Sequence, residues 1–239
     1  MDTATPCSTV ALTYGTRDDG MVLASLSLTG KVTHSRRLFT ALDYIMKEAG
    51  VDWLSISGIG VSLGPGSFTG LRIGMATAKG LAAAAGKVLL GVSTLDSLAA
   101  RIVTSKLICT VLDARKKEVY TAFYRCNEKG QSERVSDMVV MAPERLVAAI
   151  AEPVVMVGDG AKVYGDMFKK SLGENVIFAP AQLHEPSASS LGMLAGELFQ
   201  AGKHLELAEA VPVYIRSSDA ELNLLQKRNK LQQKKTACQ

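Results

Sequence analysis

The spacing of apolar positions changes several times along the chain, and each change marks an element. Ser8 to Thr13 and Met21 to Ser27 are short β-favouring runs separated by the turn-rich "YGTRDDG", which predicts a hairpin. From Lys31 to Ala49 the residues Leu38, Phe39, Leu42, Ile45, Met46 and Ala49 recur at three and four, an amphipathic helix ending at Gly50. "WLSISGIGVSL", residues 53 to 63, reads as a largely buried strand. It leads into "GPGSFTGLRIGMATAKG", residues 64 to 80, a glycine turn followed by a helix. "KVLLGVS" then predicts a strand, and Leu95 to Val103 a helix.

The second half starts again. "LICTVLDARKKEVYTAFYR", residues 107 to 125, is a buried strand, a charged turn at Asp113 to Lys117 and an alternating strand, and it parallels "MDTATPCSTVALTY" at the start. "VVMVGDGAKVYGDMF", residues 154 to 168, repeats the order strand, glycine turn, helix. A helix from Ser189 to Ala201 and an extended piece from Ala210 to Arg216 follow. This pattern predicts an α/β protein of two similar lobes, residues 1–104 and 105–216, whose last segment could return to the first lobe. A basic, partly disordered tail, 217–239, ends the chain. A central strand should precede Asp2, where only Met1 stands: either residues are missing there or that strand is short.

Composition narrows this picture only in places. A chain of 239 residues, 47% hydrophobic, can bury a core without disulfides or metal. Its formal charge of +4 resides in the tail, where Arg216 to Gln239 carry six Lys/Arg against two Asp/Glu. A solvated end, or contact with a polyanion such as RNA, would both account for that. Cys7, Cys109, Cys126 and Cys238 are far apart, which fits a reducing cytoplasm and no zinc site. Arg72, Lys79 and Lys87 interrupt the apolar stretch from Gly66 to Val92, so no membrane span is expected.

The glycine turn is the one motif with chemistry in it. Gly64-Pro65-Gly66-Ser67 suits a type II turn, with Ser67 or Thr69 as helix cap, and a helix N-terminus there favours phosphate. Yet Gly70 is followed by Leu71 and Arg72 and not by the Lys-Ser/Thr of a Walker loop. An actin-like clamp would use the carboxylate of Asp2, but "DTAT" puts Ala4 where a phosphate needs close backbone approach. Within the helix, Gly70, Gly74, Ala78 and Ala82 form a stripe. An interior helical glycine costs about 1 kcal/mol relative to alanine, so a close contact should offset it, either with the protein's own sheet or with a partner's helices. His34, His184 and His204 lack any zinc-binding spacing, and surface or capping roles suit them. Ser67 is not in a nucleophile elbow, and Asp113 with Glu118 reads as part of a charged hairpin.

Taken in order, "MDTATPCSTVAL", "HSRRLFTALDYIMKEAG", "GPGSFTGLRIGMATAKGLA", "GVSTLDSLA", "VLDARKKEVYTAFYR" and "PVYIR" resemble the TsaB (YeaZ) family from Asp2 to about Arg216. The resemblance implies two tandem RNase H-like lobes of the actin and sugar-kinase superfamily, mixed sheets flanked by helices. It implies a noncatalytic scaffold that binds and activates TsaD for threonylcarbamoyl transfer to adenosine 37 of tRNA. A TsaE-type ATPase assists, and ATP is used by the complex and not bound by this chain. TsaD relatives bind a metal through His-x-x-x-His; here those positions are Thr94 and Leu98, so no metal is expected. The family's first two helices dock on TsaD, or on a second copy when TsaD is absent. That assigns the partner interface to His34, Arg37, Gly70, Arg72, Gly74 and Ala78, and leaves Asp2, Gly64, Gly66 and Ser67 as a vestigial phosphate loop. tRNA is met through the complex, without a membrane. An actin-like ATPase or small-molecule kinase, or a peptidase, are the rival readings.

Overall fold

The structure, a computed structural model, describes residues 1–30 and 34–216, with the side chains of His34 and Ser35 outside the described set. The tail 217–239, with the charge expected of it, also lies outside the described residues. The first half runs β1 (Cys7–Tyr14), β2 (Met21–Thr29), α1 (His34–Ala49), β3 (Gly58–Gly64), α2 (Phe68–Ala85), β4 (Val88–Ser93) and α3 (Thr94–Ala99). The second runs β5 (Leu107–Arg115), β6 (Glu118–Cys126), β7 (Ser132–Arg134), β8 (Val139–Met141), α4 (Pro143–Ala148), β9 (Val154–Val157), α5 (Asp159–Val163), α6 (Gly165–Leu172), β10 (Val176–Phe178) and α7 (Ala188–Gln200).

The two halves share a strand order. In the second, β5 is central, antiparallel to β6 and parallel to β9, with β10 parallel to β9 outside it and the short β7 and β8 beyond β6. In the first, β1 and β2 are an antiparallel pair and β3 and β4 a parallel one. Met1 and Asp2 stand between the pairs, in the place β5 takes in the other half. Asp2 exchanges backbone hydrogen bonds with Thr9 of β1, and the Met1 carbonyl accepts from the Ser62 amide of β3 at 3.2 Å.

Alternation in the strands decides what covers each face. Val10 and Leu12 of β1, Ile59 and Val61 of β3 and Leu89 of β4 point to one side, where α1 and α2 bury Leu38, Leu42, Ile45, Met75, Ala78 and Ala82 against them. Leu90 and Val92 of β4 point to the other side, under Leu191 and Ala195 of α7. Gly60 of β3 also faces α7: a Cβ there would lie 2.9 Å from Leu191 Cδ2, so the helix sits close on the sheet. In the second sheet, Ile108, Leu112, Tyr120, Ala122, Tyr124, Val155 and Val157 share a core with Leu95, Leu98 and Ala99 of α3. The opposite face, Leu107, Cys109, Val111, Val119 and Met156, is covered by Leu146, Ala161 and Phe168. The halves therefore exchange helices: α3 completes the second core, α7 the first, and packing does not divide at residue 105.

Two boundaries differ from the periodicity. The strand expected from Trp53 begins at Gly58, because Asp52 folds residues 52–55 into a turn by accepting from the Ser55 amide and hydroxyl at 2.9 and 2.8 Å. The helix expected over 95–103 stops at Ala99; Ser93 caps it by accepting from the Leu95 and Asp96 amides. Among the described residues no helix is long and apolar enough to cross a membrane.

Candidate functional site

The loop that delivers α2 is built by close approach. The Gly64-Pro65 peptide is cis, and the positive φ falls on Gly64 (105°) and not on Gly66, so the expected type II turn is replaced by another geometry. Gly66 is required for space: a Cβ on it would lie 2.5 Å from the Ala4 carbonyl oxygen, which accepts from the Ser67 amide at 2.7 Å. Ser67 caps α2 by accepting from the Gly70 amide at 3.3 Å.

The small stripe of α2 faces inward, which corrects its assignment to a partner. A Cβ on Gly70 would stand 2.0 Å from the Thr3 carbonyl oxygen, and one on Gly74 would stand 2.4 Å from Thr3 Oγ1. Thr3 Oγ1 donates to the Gly70 carbonyl at 2.7 Å, locking the helix to the first residues of the chain. Ala78 and Ala82 are fully buried in the first core. The stripe exists so that α2 can lie against its own N-terminal segment and β3. Two charged candidates are likewise turned to their own chain. The Arg37 guanidinium donates to the Leu28 carbonyl of β2 at 3.1 Å. That of Arg72 lies 3.9 Å above the Phe68 ring and donates from Nε to the Tyr214 hydroxyl at 3.1 Å. Lys79, further along the same helix, donates to the Ala208 and Ala210 carbonyls. His34 opens α1, its side chain outside the described residues.

What α1 and α2 present outward is a different set. Between their C-terminal halves and the following loop lies a groove of about 830 Å³, lined by Phe39, Leu42, Met46, Val51, Trp53, Leu81, Ala84 and Ala85, with Asp43, Lys47 and Asp52 among them. Phe39 is 56% and Trp53 38% exposed, and Tyr44 and Leu54 nearby are also open. On α2, Ala76, Gly80 and Ala84 are exposed one turn apart, a second small stripe on the side of the helix opposite the buried one. A Cβ on Gly80 would meet nothing within 4 Å. Sequence periodicity missed this face. The three-and-four spacing puts Phe39 on the apolar side of α1, although Asp43 and Lys47 at i+4 and i+8 mark its side as polar.

A second concavity, about 620 Å³, lies where the halves meet. Ala4 to Pro6, Pro65 to Thr69 and Leu71 form one wall, Leu112 to Arg115, Tyr120 and Asp159 another, and the strap Val213 to Arg216 passes between. Of the residues assigned to a phosphate loop, Gly66 and Ser67 line this cleft, while Asp2 and Gly64 are buried and do not. Asp2 is fully buried, with Oδ1 accepting from the Ala4 amide at 2.7 Å; desolvation raises its pKa to about 6. Asp159 Oδ1 accepts from the Asp113 amide at 2.9 Å, and burial raises its pKa, reinforced by the charges of Glu185 and Asp113. Arg115 pairs with Asp113 at 3.0 Å, and the Arg216 guanidinium donates to the Ala114 carbonyl and to Glu118. The strap is fixed to the first half through the Val213 amide, which donates to the Leu63 carbonyl at 2.8 Å.

Among the described residues no three His, Cys, Asp or Glu side chains gather in a way that could hold a metal. Thr94 and Leu98 are both buried, Leu98 in the second core. His184, expected at the surface or as a cap, stands at the C-cap of the short 3-10 turn Ala181–Leu183 and is buried there, with Nδ1 against the Gly158 peptide and Nε2 2.9 Å from the Ala179 carbonyl. It joins the loop before α5 to the end of β10.

Two sheets of one strand order, flanked by helices and meeting at a cleft, define an α/β protein of two tandem RNase H-like lobes. Residues 28–224 match the family model described as "TsaD: tRNA N6-adenosine threonylcarbamoyltransferase". The Escherichia coli "tRNA threonylcarbamoyladenosine biosynthesis protein TsaB" is 31% identical over 92% of this chain and 94% of its own length. The Bacillus subtilis protein of the same name is 30% identical over 86% and 89%. A Pseudomonas aeruginosa crystal structure, described as having similarity to peptidase YEAZ, superposes with a TM-score of 0.75 at 29% identity, covering 90% of this chain and 97% of that one. The chain belongs to the TsaB (YeaZ) family.

Proposed function

We propose that this chain is a noncatalytic scaffold that binds a TsaD-family transferase through the outer faces of α1 and α2 and holds it competent for threonylcarbamoyl transfer to adenosine 37 of tRNA. The reading is supported above all by the groove between α1 and α2. It is apolar, bears open aromatic rings at Phe39 and Trp53, and runs beside a helix whose outward Gly80 no contact among the described residues explains. Exposed small residues let a foreign helix approach closely, while Asp43, Lys47 and Asp52 around the apolar floor give orientation more than affinity.

A role without catalysis is supported by the cleft. The carboxylate an actin-like clamp needs, Asp2, is turned into the interior, and Ala4 fills the place of close approach. The positions of the TsaD metal ligands are a buried threonine and a core leucine. ATP is used by the complex, with a TsaE-like ATPase, and tRNA is met through it. In the absence of TsaD the same face pairs with a second copy, and the setting is the cytoplasm.

Size-exclusion chromatography with the TsaD-family protein of the same organism tests this. The native chain co-elutes with it; Phe39→Asp, which charges the groove without touching the core, elutes alone. Co-elution of Phe39→Asp at native stoichiometry overturns the docking face.

A further inference from the structure

The rim of the interlobe cleft carries a cluster that neither the α1–α2 face nor the core uses. Phe68, on the first turn of α2, and Tyr214, on the strap, stack with ring centroids 5.1 Å apart and an interplanar angle of 36°. They stay 38% and 40% exposed, and the Arg72 guanidinium covers Phe68. Exposed aromatic and guanidinium planes at the mouth of a cleft are surfaces on which nucleobases stack.

The charge around this cluster has a shape. Across the cleft, the β5–β6 hairpin ends in Arg115, Lys116 and Lys117, all exposed and all with positive φ (61°, 53° and 60°). A two-residue hairpin of this kind is ordinarily made with Asn-Gly, so Lys-Lys is an unfavourable choice for the turn alone. The cleft floor is different: Asp113 and Asp159 line it, and Asp159 sits where its own ionisation is disfavoured. The floor therefore meets a phosphate with carboxyl groups, Asp113 already paired with Arg115, while cationic side chains stand at the rim. That pattern suits an extended polyanion lying across the mouth and does not suit a free nucleotide with its phosphates inside.

We propose that the cleft rim, with Phe68, Arg72 and Tyr214 on one side and the Arg115–Lys117 hairpin on the other, binds an unpaired stretch of RNA. The bases stack on the ring and guanidinium planes while the basic hairpin faces the backbone. Resting on the proposed role in tRNA modification, this makes the unpaired loop of the substrate tRNA the natural occupant. It places a direct RNA contact on this chain, away from the helix face that docks the transferase.

The test is fluorescence anisotropy of the full chain with a labelled RNA hairpin carrying a single-stranded loop, the fully paired duplex of the same stem, and ATP as competitor. The hairpin binds more tightly than the duplex, and excess ATP does not displace it. Phe68→Ala with Tyr214→Ala weakens hairpin binding about tenfold. Tyr214→Phe, which keeps the ring and loses the bond to Arg72, binds like the native chain, and Arg115→Glu weakens binding and flattens its salt dependence. Equal affinity for duplex and hairpin, displacement by ATP, or undiminished binding by the double variant with native thermal unfolding overturns the proposal. Co-elution with the TsaD-family protein, measured on the same variants, separates the two readings: the rim variants keep the partner, and Phe39→Asp loses the partner while keeping the RNA.

Discussion

Three glycines on one helix are distinguished by what surrounds them, and substituting each with alanine separates buried from outward positions. At Gly80 a methyl group meets nothing within 4 Å, so only the backbone effect remains: alanine stabilises an exposed helix interior by about 1 kcal/mol relative to glycine. For a domain of this size that raises the unfolding midpoint by about 2–4 °C. At Gly74 the same gain is opposed by a Cβ 2.4 Å from Thr3 Oγ1, the hydroxyl that donates to the Gly70 carbonyl. Overpacking costs about 1–3 kcal/mol, and turning Thr3 away leaves its buried hydroxyl unpaired for about 1–3 kcal/mol more, so Gly74→Ala is destabilised by about 1–5 kcal/mol net. At Gly70 the obstacle, 2.0 Å away, is the Thr3 carbonyl oxygen, which moves only with the backbone. Gly70→Ala is therefore the least stable of the three. Thermal unfolding by circular dichroism at one pH reads the order Gly80→Ala, native, Gly74→Ala, Gly70→Ala from highest to lowest midpoint. A stabilised Gly74→Ala, or a destabilised Gly80→Ala, would show that the inward and outward faces of α2 have been exchanged.

Two titratable sites give further checks. Burial raises the pKa of Asp159 above its ordinary value of 3.8, so the folded protein holds that proton where the unfolded chain has lost it. Stability thus falls as pH rises from 3.8 through the raised value. Asp159→Asn, whose side-chain carbonyl can still accept from the Asp113 amide, removes that slope and is at least as stable at neutral pH. A pH-independent loss of stability in Asp159→Asn, measured by urea unfolding, would contradict this. Cys109 is fully buried and its thiol is pushed up to about 12 by desolvation, so alkylation monitored by peptide mass spectrometry should proceed at the rate of global unfolding. Fast labelling of Cys109 in the native protein would sink that expectation.

Sequence pattern carried the order of elements because strand alternation and helix spacing are local. The hairpin before α1, the turn at Gly64 and the restart at Leu107 all follow from residues a few positions apart. The contacts of a small stripe are not local. Gly70 and Gly74 are small because Thr3, at the far end of the sequence, lies across them, and the same spacing would have suited a partner's helix equally well. Arg37, Arg72 and Lys79 likewise find acceptors that arrive from elsewhere in the chain: Leu28 in β2, Tyr214 in the strap, and Ala208 and Ala210 in the segment before it. The outward stripe of Ala76, Gly80 and Ala84 was readable in principle, as a second set of small residues one turn apart. Exchange of α3 and α7 between the cores was not, because it depends on which sheet each helix meets after the chain has turned back.

The scaffold account meets its most direct test in reconstituted threonylcarbamoyl transfer to tRNA by the TsaD-family protein, measured with and without this chain and with Gly80→Arg. Arginine raises helix propensity at an open position, so the variant folds, yet its side chain blocks close approach on the outer face. The account predicts stimulation by the native chain and none by Gly80→Arg; full transfer without the chain, or full stimulation by Gly80→Arg, would contradict it.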